Sequence, residues 1–210
     1  MADILLDEQG TPTAPASSTG VLYLDSTSKE LVDYDGTGKI KTVRTLNNAN
    51  TGDISPTGGT PLYLSGSAIT VPPGLVRAGT CFTWWFAMSK TGAGTAAPVW
   101  TVRVGTAGTT ADTTRLTFTG VAQTAVIDNG CAMIQVVIRS TGASGVAEGF
   151  YRLDHILAAT GLANIQTDVK QATSAGYDTT VANSIYGIVL DSGTSNVWTV
   201  QHVTAQAVGI

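Results

Sequence analysis

Apolar residues fall at every second position along much of this chain, and nowhere do they hold a long helical spacing. The clearest case is 81–89, where Phe82, Trp84, Phe86 and Met88 alternate with Thr83, Trp85, Ala87 and Ser89. Strict alternation of this kind predicts a half-buried strand. The same reading holds for 98–104, with Trp100, Val102 and Val104 on one face. It holds for Arg115–Phe118, and for 131–139, with Ile134, Val136 and Ile138 facing in. At 150–157, Tyr151, Leu153, His155 and Leu157 share a face, and at 185–190 Tyr186, Ile188 and Leu190 do. The last strand, 197–205, puts Trp198 and Val200 together and then slips phase at Val203, the mark of a β-bulge. The best helical candidate is 160–175, where Leu162, Ile165 and Val169 lie three and four apart. Its Gly161 and several Thr limit it to one or two turns.

Seven or more short strands separated by Gly, Thr, Ser and Asp predict an all-β protein, a jelly-roll-like antiparallel β-sandwich. Phe82, Trp84, Phe86, Trp100, Tyr151 and Trp198 would supply much of its core. This domain is expected over 61–210. The polar, Asn- and Gly-rich 46–60 reads as a linker. Residues 1–45 read as an attachment or oligomerisation arm. Within it, Val21–Leu24, Leu31–Tyr34 and Lys39–Val43 are strand-like, with Asp35-Gly36 as a turn. Three apolar runs this short cannot bury enough surface to offset the entropy of ordering them. The segment therefore needs a partner, whether the rest of the chain, sister chains or another surface. The plainer alternative is an ordinary edge hairpin of the main domain.

Composition narrows the function. Charged residues make up 12% of the 210, about half the usual share. Such a surface suits a subunit packed in an assembly better than a free monomer. The net charge is −4 and the 11 Lys and Arg are scattered, so no basic stripe offers itself to nucleic acid. No apolar run approaches the length of a membrane span. The opening Met-Ala-Asp-Ile-Leu-Leu-Asp-Glu lacks the basic start of a signal peptide, which predicts use without Sec export.

The stretch 9–43 carries a resemblance. Pro12 and Pro15 form a Pro-x-x-Pro leader. Gly20 precedes the pair Leu22-Tyr23, Leu31 follows, and Asp35-Gly36 closes the pattern. This resembles a small module of tailed-bacteriophage virion structural proteins, of the head-fibre, capsid-decoration or short tail-fibre type. The segment RAGTCFTWWFAMSKTGAGTAAPVWTVRVGTAGTTADTTRLTFTG also looks like a recurring domain of such proteins. The resemblance implies a homotrimer in the virion, assembled in the bacterial cytoplasm. Its partners would be the major capsid protein or other virion proteins. It implies a capsid decoration protein or short head fibre. The alternative is a short tail fibre that recognises a host surface glycan. Interface candidates are Pro12, Pro15, Leu22, Tyr23, Leu31, Tyr34 and Trp85.

Motifs for chemistry are sparse. There is no Gly-x-Ser-x-Gly elbow, no His-Glu-x-x-His and no phosphate-binding Gly-Lys-Thr loop, so no catalytic residue, cofactor or metal site is expected. Asp33–Gly38 has the look of a calcium loop but lacks the downstream Glu, and a hairpin turn explains it. Asp154 and His155 are strand neighbours and face opposite ways, so a structural histidine is expected. Asp112, Asp128, Asp178 and Asp191 sit in turn-like contexts. Cys81 and Cys131 read as two buried or half-buried thiols, with a disulfide geometrically open if their strands are neighbours. If Trp84 is core, Trp85 points outward, as an interface or as a sugar-stacking surface.

Overall fold

The computed structural model describes residues 46–56, 58–72 and 74–210, together with the backbones of four strands before them. These are β1 (Glu8–Gln9), β2 (Val21–Asp25), β3 (Leu31–Tyr34) and β4 (Ile40–Thr42). They form one sheet in that order. β1 runs parallel to β2, and β2–β3 and β3–β4 are antiparallel. The chain divides into two compact units, Met1–Thr45 with Ile210 and Leu46–Gly209.

The larger unit is an antiparallel β-sandwich of two sheets, and no helix occurs among the described residues. The first sheet is built on β14 (Ser184–Asp191). One of its edges pairs with β9 (Val99–Gly105), which carries β10 (Thr113–Thr119). Its other edge takes the short strands β6 (Leu62–Tyr63) and β7 (Ile69–Val71). The second sheet has six strands. Its order is β13 (Thr167–Thr173), β12 (Val146–His155), β11 (Asp128–Ser140), β8 (Cys81–Lys90), β15 (Trp198–Val208) and β5 (Leu46–Asn50). β8 pairs with β15 in one sheet, and β9 pairs with β14 in the other. Consecutive strands thus cross between the sheets on the way out and again on the way back, as in a jelly roll.

Alternation places the core. Phe82, Trp84, Phe86 and Met88 are buried on β8, as are Trp100 and Val102 on β9, Tyr151 on β12, Tyr186 on β14 and Trp198 on β15. Their rings meet in the middle. Phe82 stacks on Tyr186 at 4.1 Å between centroids, Phe86 lies 5.0 Å from Trp100, and Trp100 lies 5.9 Å from Tyr151. Offset and tilted contacts of this kind add to the area each ring buries. The phase slip in the last strand is real. The register of β15 against β8 shifts between Val200 and His202. Gln201 is the extra residue, and Val203, Ala205 and Ala207 return to the core behind it.

Two expectations are corrected. No helical turn forms within 160–175. Leu162 is fully buried while Ile165 and Val169 are 41% and 49% exposed, so the three do not share a face. Thr167–Thr173 is instead the edge strand β13, whose β-branched Thr and Val suit extended backbone. Leu46–Asn50, inside the stretch read as linker, pairs with β15 as β5. An edge strand needs only one apolar anchor, here Leu46, and three Asn in five residues hid it. Asn48 also donates from Nδ2 to the Ala68 carbonyl at 2.7 Å.

Candidate functional site

Trp84 and Trp85 divide between the two faces of β8. Trp84 is fully buried and its indole N–H donates to the Ser67 carbonyl at 2.7 Å. Trp85 is 51% exposed on the outer face of the six-stranded sheet. The register fixes its neighbours. Met133 of β11 and Thr204 of β15 lie directly opposite it, and Arg152 of β12 lies beyond Met133. Trp85 is therefore close to the middle of the sheet, two strands in from the β5 edge.

The charges on this face are spent on one another. Arg152 holds Asp154 with two parallel hydrogen bonds, Nε to Oδ2 at 2.6 Å and Nη2 to Oδ1 at 3.0 Å. Those bonds, with one from Thr167, keep the Asp154 carboxyl below its ordinary range, and they raise Arg152 in turn. Glu148 accepts from Gln171 at 2.7 Å and Thr173 at 2.8 Å and faces Arg139 at 3.6 Å, which lowers its carboxyl as well.

A polar cluster lies buried at one end of the same sheet. Lys90, Asp128 and His155 end or begin three neighbouring strands, and all three are buried. Asp128 faces His155 Nδ1 at 2.5 Å. It also accepts the backbone N–H groups of Asn129, Leu157 and Leu162 at 2.8, 3.3 and 3.0 Å. The other ring nitrogen of His155, Nε2, lies 2.7 Å from the Ile165 carbonyl. Lys90 Nζ is caged by the carbonyls of Thr91, Ala93, Gly94 and Thr124 at 2.7–3.2 Å. Burial pulls this ammonium below its usual value, and nearby Asp128 works against that shift. The cluster pins the loops 121–127 and 156–166 to the strand ends. Every polar atom named in it already has a protein partner, so its chemistry is architectural.

The remaining carboxylates picked out by sequence behave alike. Asp112 accepts the N–H groups of Ala107, Gly108 and Thr109. Asp178 takes Thr180, and Asp191 takes Gly59 and Gly193. Each ties down a turn. Among the described residues no three His, Cys, Asp or Glu side chains gather as a metal site requires.

Of the expected interface residues, only Trp85 has a described side chain. Leu22, Tyr23, Leu31 and Tyr34 lie in β2 and β3, with Leu22 opposite Asp33 and Tyr23 opposite Val32. Pro12 and Pro15 lie outside the described residues, as does the end of the calcium-like Asp33–Gly38 stretch. His155 is structural, as expected, though its partner is Asp128 rather than any neighbour in sequence. The cysteines are both free. Cys81 is half-buried and Cys131 is exposed, which corrects the expectation of two sheltered thiols. They sit on adjacent strands but far apart along them, since Cys81 opposes Val137 and Cys131 opposes Ala87.

No protein-family model matches the sequence, and no curated protein matches it either. Among solved structures, the CBM2 module of the evolved Dit of Lactobacillus casei BL23 phage J-1 is similar over 78% of this chain and 97% of that one. The identity is 10% and the TM-score 0.31. That likeness is slight, and the fold and site stand on this chain's own residues.

Proposed function

We propose that this chain is a non-enzymatic structural protein of a tailed-phage virion, a capsid decoration protein or short head fibre that binds the shell as a homotrimer. Residues 1–45 serve as the attachment arm and the β-sandwich projects from the particle or covers it. One observation carries the binding role: Trp85 stands exposed near the middle of a broad sheet face whose charges are paired. Such a face is built to contact something rather than to react with it. The placement on a virion rests on the Pro12–Pro15, Leu22-Tyr23 and Asp35-Gly36 pattern. Trimeric symmetry would multiply modest contacts into firm attachment once the first subunit is seated.

The same exposed Trp favours a second reading, a short tail fibre that recognises a host surface glycan. Cryo-electron microscopy of the intact particle separates the two. Density for this chain at symmetry axes or between capsomers is the expected result. Density at the baseplate or tail collar would overturn decoration in favour of the tail fibre. Light scattering on the purified chain checks the trimer.

A further inference from the structure

Among the described residues, three depressions open beside β11 on the outer face of the six-stranded sheet. The first, of about 420 Å³, lies beside Asn129, Ile156 and Gln201. The second, of about 140 Å³, is walled by Trp85, Met133 and the Arg152–Asp154 pair, and shares Cys131 and Asp154 with the first. The third, of about 290 Å³, lies beside Gln135, Phe150 and Gln171. From Asn129 to Val137 the outward residues of β11 cover eight residue steps, roughly 27 Å at about 3.4 Å per residue. A row of depressions of that length, with one indole in its wall, suits a chain-like ligand, not a compact one.

The chemistry of this row selects the ligand. Its charged side chains pair off, Arg152 with Asp154 and Arg139 with Glu148, so it offers no net charge to a polyanion or polycation. What remains is neutral. The side-chain amides of Gln135 and Gln201 are exposed and have no partner among the described residues. An amide offers two donors and an acceptor, the complement of a hydroxyl. The Trp85 indole presents an apolar plane with water around it, which matches the C–H face of a pyranose ring. We infer that this outer face is a binding site for a linear, neutral polysaccharide, with Trp85 as the stacking platform and Gln135 and Gln201 reading hydroxyls along the strand. This deepens the glycan-recognition reading above and holds for a head or a tail location alike, so particle imaging and the test below can fail independently.

The test uses the full chain. Trp84, Trp100 and Trp198 are fully buried, so acrylamide quenching of tryptophan fluorescence reports on Trp85. The protein is first quenched in solution and then applied to a printed array of neutral glucans, galactans, mannans and rhamnose-containing polymers alongside acidic ones. The expected result is ready quenching, binding to at least one neutral polymer, protection of Trp85 by that polymer, and affinity that holds from 50 mM to 500 mM salt. Trp85→Ala should weaken binding at least tenfold and Gln135→Ala severalfold, with circular dichroism and oligomeric state unchanged. Trp85 already shielded in the unliganded protein would show the face covered by another copy and overturn the inference. So would binding to acidic polymers alone, binding to no neutral polymer, or full affinity in Trp85→Ala.

Discussion

His155 and Asp128 are 27 positions apart in the chain, yet the imidazole Nδ1 meets the carboxylate at 2.5 Å in the interior of the sandwich. The second ring nitrogen faces the Ile165 carbonyl. Asp128→Ala removes the acceptor for three backbone N–H groups and strands a buried imidazole. Its expected cost is about 3–5 kcal/mol in urea denaturation.

Gly161 has φ of +87°, and a Cβ there would press into the Asp128 side chain. Gly161→Ala therefore meets both a backbone and a packing penalty. A loss of more than about 1 kcal/mol is expected, read as a lower thermal midpoint. Gly74→Ala is a useful contrast, since its φ is also positive but nothing lies near its Cβ. It should cost less.

Adjacent tryptophans should differ sharply on truncation. Trp84→Ala empties a core site and should cost about 3–5 kcal/mol. Trp85→Ala changes an exposed side chain and should stay within about 0.5 kcal/mol. Equal losses in urea melts would contradict the two-faced placement of β8.

Alkaline pH should weaken the fold steeply. Burial raises Tyr63 from 10.0 to about 12, with Asp112 adding to the shift, and burial raises Tyr151, Tyr177 and Tyr186 as well. Above pH 10 the unfolded chain loses these protons while the folded one keeps them. Each such group then removes up to about 1.4 kcal/mol of stability per pH unit. Lys90, held low by burial, acts the other way, adding stability as pH rises toward 10.5, but it is one group against four. The urea midpoint should be lower at pH 11 than at pH 9, and a flat profile would count against it.

The free cysteines give a simple chemical check. Cys131 should react with a maleimide quickly and Cys81 slowly, and mild oxidation should form no disulfide between them within one chain. A Cys81–Cys131 bridge found by mass spectrometry would disprove the β8–β11 register.

The central strands were legible because their alternation is one-sided. Phe82 through Met88 and Ile134 through Ile138 each repeat every second residue, and the sandwich buries one face of each. β5 and β13 were not, because an edge strand pairs on one side and carries few apolar anchors. The Lys90–Asp128–His155 cluster was missed for another reason. The Asp128–His155 contact spans 27 positions, while sequence showed only His155 beside Asp154. A signal did exist. Lys90 continues the inward phase of Phe82–Met88, Asp128 that of Ile134–Ile138, and His155 that of Tyr151 and Leu153. Three inward polar residues at strand ends must each find a partner in the interior or remain unsatisfied. The outer face was legible only at Trp85, since the row of depressions along β11 depends on which strands become neighbours.

The extra residue at Gln201 makes β15 a strand with two reading frames. Ahead of it, even-numbered positions feed the core, and behind it odd-numbered ones do. Deleting Gln201 would leave Trp198, Val200, Val203, Ala205 and Ala207 in one unbroken alternation, all still inward, whereas a deletion between Val203 and Ala207 would turn the residues beyond it toward solvent. A change of length in the last strand is thus tolerable at the bulge and disruptive past it. The bulge is a place where this strand can lose a residue without its core face changing.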